Sequence, residues 1–234
     1  MKNLSNQAKL TLAAVVIIVA GGGIYLATNN NGTSVNKELQ SKCTTEVNDE
    51  TFCKFVGIFG NAGDYKVNVN TNDQSGATAL ELASDSQGNS SMLVKKDGQE
   101  QGSVIVFNGV TYLKDYTDNQ WFKYSSTDAN KPEVLDLKKE FAKGDFKGEQ
   151  GQKLEYKKIG TEKCGNLTCF KYQIVDPQKP NEEGFIWFDT KDYLLRRVTA
   201  KNGADTTEMT LVYAKVSIGE PSPTKAIPSA NTSQ

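Results

Sequence analysis

Residues 103–124, SVIVFNGVTYLKDYTDNQWFKY, constrain the fold more than any other stretch of the chain. Two β-branched and aromatic runs, 104–107 and 110–113, flank Asn108 and Gly109, the strongest two-residue hairpin signal. A type I′ turn there pairs Phe107 with Val110, Val106 with Thr111, Ile105 with Tyr112 and Val104 with Leu113. One face then carries Ile105, Phe107, Val110 and Tyr112, and the other Val104, Val106, Thr111 and Leu113. Neither face is polar, as one side of an open antiparallel hairpin would be. Both sides must therefore be covered, or one must meet a ligand or a partner.

The rest of the chain extends this sheet. Tyr65, Val67 and Val69 alternate with polar residues, and alternation continues through Thr78, Leu80 and Leu82 and through Met92 and Val94, with turn signals between. Strand patterns resume at 153–159, 169–176, 184–189, 194–200 and 206–218. Helical periodicity is confined to three short pieces. One is a weak pattern at 36–43. The second is capped by Asn48 and carries Phe52, Phe55, Val56 and Phe59 at i, i+3, i+4 and i+7. The third has Pro132 in its first turn, a stripe of Val134, Leu137 and Phe141, and Gly144 as its stop. These patterns predict a mainly β, α+β fold, in which a curled antiparallel sheet of about eleven strands forms an unclosed barrel with a few short helices.

Before the sheet, residues 10–27 hold no charge and are long enough to cross a bilayer, with Lys2 and Lys9 ahead of them. The positive-inside rule predicts a cytoplasmic stub and transmembrane anchor over 1–27, with the remainder extracytoplasmic. Cleavage after a signal peptide is the alternative, because Ala20 and Gly22 suit a signal peptidase and would leave a secreted domain. A polar linker follows at 28–35, a folded domain at 36–219, and a proline-rich tail at 220–234 that reads as disordered.

The chain contains no histidine, which removes Ser-His-Asp and Cys-His catalysis and the usual zinc hydrolase ligands. Asp176, Asp189 and Asp192 stand beside strand ends, where a paired-acid glycosidase would need two carboxylates, but their sequence contexts read as turns. No catalytic residue, cofactor or metal site is expected, and the chain is read as a binding protein rather than an enzyme. Nor is nucleic acid an expected partner, since net charge is −1. Arg196 and Arg197 are adjacent on one strand and read as solvated rather than as an anion site. The four cysteines form two local pairs, Cys43 with Cys53 and Cys164 with Cys169, which suits disulfides in an extracytoplasmic domain. A four-thiolate zinc site is the rival, although the ten-residue spacing departs from its usual pattern.

The strand GFIWFD at 184–189 repeats the two-sided apolar character of the hairpin, with Phe185 and Trp187 on one side and Ile186 and Phe188 on the other. Together with the turn after Asp189, the arginine-bearing strand 194–198, the long last strand reaching Tyr213, and the upstream GVTYLKDYTDNQWFKY, it resembles the lipoprotein-carrier superfamily of LolA, LolB, LppX and LprG. That resemblance covers roughly 64–221. It implies an unclosed barrel wrapped around helices and an apolar cavity for acyl chains, in a bacterial cell envelope. The chain departs from it in lacking a lipid-attachment cysteine and in adding two cysteine pairs. A tethered domain of this kind is expected to bind a lipid or an acylated protein at one membrane surface rather than carry it freely. A protein-interaction or sensor domain of the same fold, reading an envelope partner through Val104, Val106 and Leu113, is the alternative. For the cavity lining the bulkier face is chosen, Ile105, Phe107, Val110 and Tyr112, together with Trp187.

Overall fold

The computed structural model describes residues 35–59, 62–125, 127–128, 131–137, 146–147 and 151–227. Two helices come first. Helix α1, Lys37–Val47, starts at Asn36, whose side chain accepts from the Leu39 N–H at 3.0 Å, and stops at Asn48 in the left-handed conformation. Helix α2, Glu50–Phe59, is capped by Asp49, which accepts from the Phe52 N–H at 2.8 Å. Asn48 is thus the C-terminal stop of α1, and Asp49 performs the capping that the sequence reading gave to Asn48. The Cys43–Cys53 disulfide bonds one helix to the other, with Cα atoms 5.3 Å apart.

Among the described residues, twelve strands follow in one unclosed, curled sheet. A first meander runs through β1 (Tyr65–Asp73), β2 (Gly76–Ser84), β3 (Ser90–Lys96), β4 (Gln99–Phe107), β5 (Val110–Asp115) and β6 (Gln120–Tyr124). A second runs through β7 (Glu155–Cys164), β8 (Leu167–Val175), β9 (Glu182–Asp189), β10 (Leu195–Asn202) and β11 (Asp205–Val212). The two meet where β11 pairs antiparallel with β1, placing Leu211 opposite Val67 and Met209 opposite Val69. The β4–β5 register is the one read from the sequence, Phe107 to Val110 through Val104 to Leu113. Asn108 and Gly109 both have positive φ, 49° and 78°, as a type I′ turn requires. The second disulfide, Cys164–Cys169, staples the β7–β8 turn.

Three expectations change. The last strand ends at Val212 rather than 218, and the chain runs on without regular structure to a twelfth strand, β12 (Thr224–Ala226), which pairs parallel with β6. Residues 224–226 are therefore a strand at the sheet's edge, within the stretch expected to be a disordered tail, while 228–234 lie outside the described residues. Residues 131–136 have no regular structure and Leu137 is helical, so the expected first turn at Pro132 is not helical. Phe141 and Gly144 fall outside the described residues. No helix among the described residues is long and apolar enough to cross a membrane, and the run at 10–27 lies outside them.

Candidate functional site

Strict alternation along the strands gives the sheet an inner face, turned to the helices, and an outer one. The inner face differs between its two halves. Over β7–β9 it carries rings, set beside Ile174 and Ile186. Phe55 of α2 stacks on Phe188 at 4.5 Å and 8°, Phe52 meets Tyr156 at 4.5 Å, and Tyr172 stacks on Phe188 at 5.3 Å. The Tyr172 hydroxyl donates to Asp49 at 3.0 Å, locking β8 to the cap of α2. Burial, and then Asp49, push that phenol's pKa up.

Over β1–β5 the inner face is aliphatic. The paired positions Val67 and Leu82, Leu82 and Met92, and Met92 and Val104 form a continuous row across four strands, with Val69, Leu80 and Val94 beside it. All are buried in the same cluster as the helix phenylalanines. Leu113, Val134 and Leu135 pack against this cluster half-buried, and Leu137 and Phe146 join it fully. Tyr65 closes one end of the row. Burial, aided by the charge of Asp136, pushes its phenol up to about 12.

The hairpin is oriented opposite to expectation. Val104 and Leu113 meet the helical side, so Ile105, Phe107, Val110 and Tyr112 lie on the outer face. The smaller side chains go inward because the register sets Val104 in line with Met92, Leu82 and Val67 on the helical side. Tyr112 is only 1% exposed, yet it stands outside the inner cluster. Its cover is the segment 213–227, which leaves β11 and crosses this end of the molecule as a strap. Asp64 accepts from the Val216 N–H at 2.9 Å, and the Tyr112 hydroxyl donates to Glu220 at 2.6 Å. Lys225 then pairs with Asp118 at 2.7 Å and with Asp115. That hydrogen bond from Lys225 holds the Asp115 carboxyl at about 2.

Trp187 is also on the outer face, buried in a different way. Its indole N–H donates to Glu162 at 2.6 Å, and Lys171 and Arg197 sit over its ring at 5.0 and 4.8 Å. Arg197 Nε lies 2.7 Å from Glu208, out of line for a directed hydrogen bond, so the contact is an ion pair. Glu162, Lys171, Trp187, Arg197 and Glu208 thus make one lateral row across β7 to β11. Long polar side chains lay their stems over the indole and keep their charges in water.

The carboxylates beside the strand ends hold turns. Asp189, 2% exposed, accepts from the N–H groups of Lys191 and Asp192 and pairs with Arg196 at 2.8 Å. Asp176 accepts from the Gln178 N–H and the Gln152 side chain. Asp192 is exposed. Neither arginine is a free solvated charge, since Arg196 is held by Asp189 and lies over Tyr213 at 4.8 Å. Among the described residues no group of three or more His, Cys, Asp and Glu side chains is placed to hold a metal ion, and the four cysteines are spent in the two disulfides. Sequence reasoning missed Glu220, Lys225 and Glu162. No local signal marks them, because their partners lie 25 to 110 residues away.

No family model matches the sequence, and no curated protein matches it. Among solved structures it is similar to the lipoprotein LppX of Mycobacterium tuberculosis, at 12% identity over 79% of this chain and 100% of that one, with a TM-score of 0.45. It is similar to LprF of Mycobacterium bovis at 16% identity over 81% of this chain and 100% of that one, with a TM-score of 0.45. A LolA superfamily protein of Nitrosomonas europaea shares 7% identity over 76% of this chain and 92% of that one, with a TM-score of 0.26. These likenesses concern the course of the chain alone.

Proposed function

We propose that the chain is a membrane-anchored extracytoplasmic module that binds an apolar ligand, a lipid or a lipoprotein acyl chain, in the bacterial cell envelope. The supporting observation is the aliphatic half of the inner face. Its valines, leucines and Met92 present a row without ring interlock, and the segment over it has no regular structure from 131 to 136. Aliphatic side chains of suitable volume tolerate rearrangement better than stacked rings do, and Met92, unbranched and flexible, fills irregular gaps. Each buried methylene contributes about 0.8 kcal/mol, so about ten give useful affinity after the cost of association. The ligand is bound and released unchanged, with no catalytic step. The uncharged run at 10–27 supplies the anchor in this reading, and the two disulfides suit an oxidising compartment.

A second reading rests on the burial of Phe55, Val67 and Val104, each at 1% exposure or less, which is what a filled interior gives. The chain would then be an interaction domain. Its partner would meet the outer face, since Val104 and Leu113 point inward. Organic extraction of the purified protein followed by mass spectrometry distinguishes the two, repeated with Leu113→Glu. Lipid in the wild type, and loss of it in a variant that keeps its far-ultraviolet circular dichroism, is the expected result. Wild-type protein that carries no lipid and takes up none from vesicles would overturn the first reading and favour the second.

A further inference from the structure

The strap makes its main contacts far from where it starts. It leaves β11 in the middle of the sheet and ends beyond β6, with six strands between. There it grips the hairpin on three sides. On the outer face, Glu220 accepts from Tyr112 and pairs with Lys123 at 3.2 Å. At the edge, the Trp121 N–H donates to the Pro223 carbonyl at 3.0 Å, and three residues pair in parallel. On the inner side, Lys225 is aligned with Phe122, lies 4.3 Å from its ring, and meets Asp115 and Asp118. An acid of the strap thus meets a base and a phenol, and a base of the strap meets two acids.

This grip does not depend on strap and hairpin belonging to one chain. Only the connection from 213 to 219 decides that; it has no regular structure and is held by the bond from the Val216 N–H to Asp64. The clamp is also small. Ion pairs this exposed stabilise little, and a three-residue ladder at a sheet edge opens locally at low cost. Opening bares Tyr112, otherwise 1% exposed, beside the half-buried Ile105 opposite it, and a large buried ring laid open calls for a cover. The segment that fits this cover is the strap itself, with Glu220 and Lys225 spaced to reach both faces of the hairpin.

We propose that the strap exchanges between two copies of the chain, residues 220–226 of each docking on the β4–β6 hairpin of the other in a reciprocal dimer. Exchange of an identical element makes in trans the contacts already made in cis, and it closes with twofold symmetry. At low concentration the tether favours the closed monomer, because its effective concentration is on the order of millimolar.

Two full-length variants, each with one cysteine added to the four held in disulfides, test this. Ala226 and Lys123 are aligned in the β12–β6 register, so one chain carries Ala226→Cys and the other Lys123→Cys. Mixed equally at about 1 mM under mild oxidation, they should give a mixed covalent dimer about tenfold above the two like-with-like dimers combined. Peptide mapping should find the link between 226 and 123, and adding Lys225→Glu to the first chain should remove the excess. The wild type should show a dimer by light scattering that grows with concentration toward about 1 mM. A mixed dimer at the random ratio, or a wild type that stays monomeric throughout that range, would overturn the exchange.

Discussion

The two halves of the inner face are buried equally well but packed by different means. Beneath α2, rings of Phe52, Phe55, Tyr156, Tyr172 and Phe188 meet at 4.5 to 5.7 Å, and a hydroxyl bond to Asp49 fixes their register. Toward β5 the same face is a row of valines, leucines and one methionine. Stacked rings specify one arrangement because their contacts are directional, whereas aliphatic side chains of suitable volume tolerate rearrangement. The difference divides the inner face into a half whose packing is directional and a half in which the proposed ligand would lie.

The largest expected effect breaks the first half. Phe55→Ala removes the ring stacked on Phe188 and should cost about 3 to 5 kcal/mol in denaturant unfolding, against about 2 kcal/mol for Met92→Ala. Equal costs would erase the distinction between the halves. Next comes Asp189→Asn, which strips the charge partner from the partly buried Arg196 at the end of β9 and should cost about 3 kcal/mol. Replacing Cys43 and Cys53 together frees α1 from α2 and should cost about 2 to 3 kcal/mol on the chain-entropy account, read as a lower midpoint with an unchanged slope.

Smaller effects belong to the other half and its strap. Tyr112→Phe loses the bond to Glu220 and should cost about 1 kcal/mol, visible as faster hydrogen exchange at the Trp121 amide. The strap should also loosen in acid. Asp115 is held at about 2 in the folded chain, below its ordinary 3.8, so its stabilisation is fully present above pH 4 and is lost as pH falls toward 2. Resonances of Trp121 and Phe122 followed from pH 5 to 2 should shift toward the low end of that window in the wild type and at a higher pH in Lys225→Ala, where Asp115 has lost the bond that lowers it.

Much of the sheet was legible because strand alternation and the Asn108–Gly109 turn are local signals. The hairpin register, the two meanders and both cysteine pairs follow from residues close in sequence. The apolar character of both faces at 104–113 and at 184–189 was also legible, but its resolution was not. One outer face is covered by a backbone segment more than 100 residues away and the other by the stems of Lys171 and Arg197. In sequence the two look alike. The choice of Ile105 and its neighbours as the inward face failed for the same reason, since side-chain size within one hairpin does not reveal which side the register aligns with the inner row of the adjoining strands. The strap was missed because three prolines and small polar residues read as a tail, while its anchors, Glu220 and Lys225, act only through distant partners.

The most direct measurement of the central claim is photo-crosslinking of the purified full chain with a diazirine-bearing fatty acid, followed by peptide mapping. If a lipid chain lies against the aliphatic half, the label should fall on β2 to β5, at Leu80, Leu82, Met92, Val94, Val104 or Leu113, and excess unlabelled lipid should suppress it. Label confined to the outer residues Ile105, Phe107 and Val110, or spread over the surface without competition, would contradict the account.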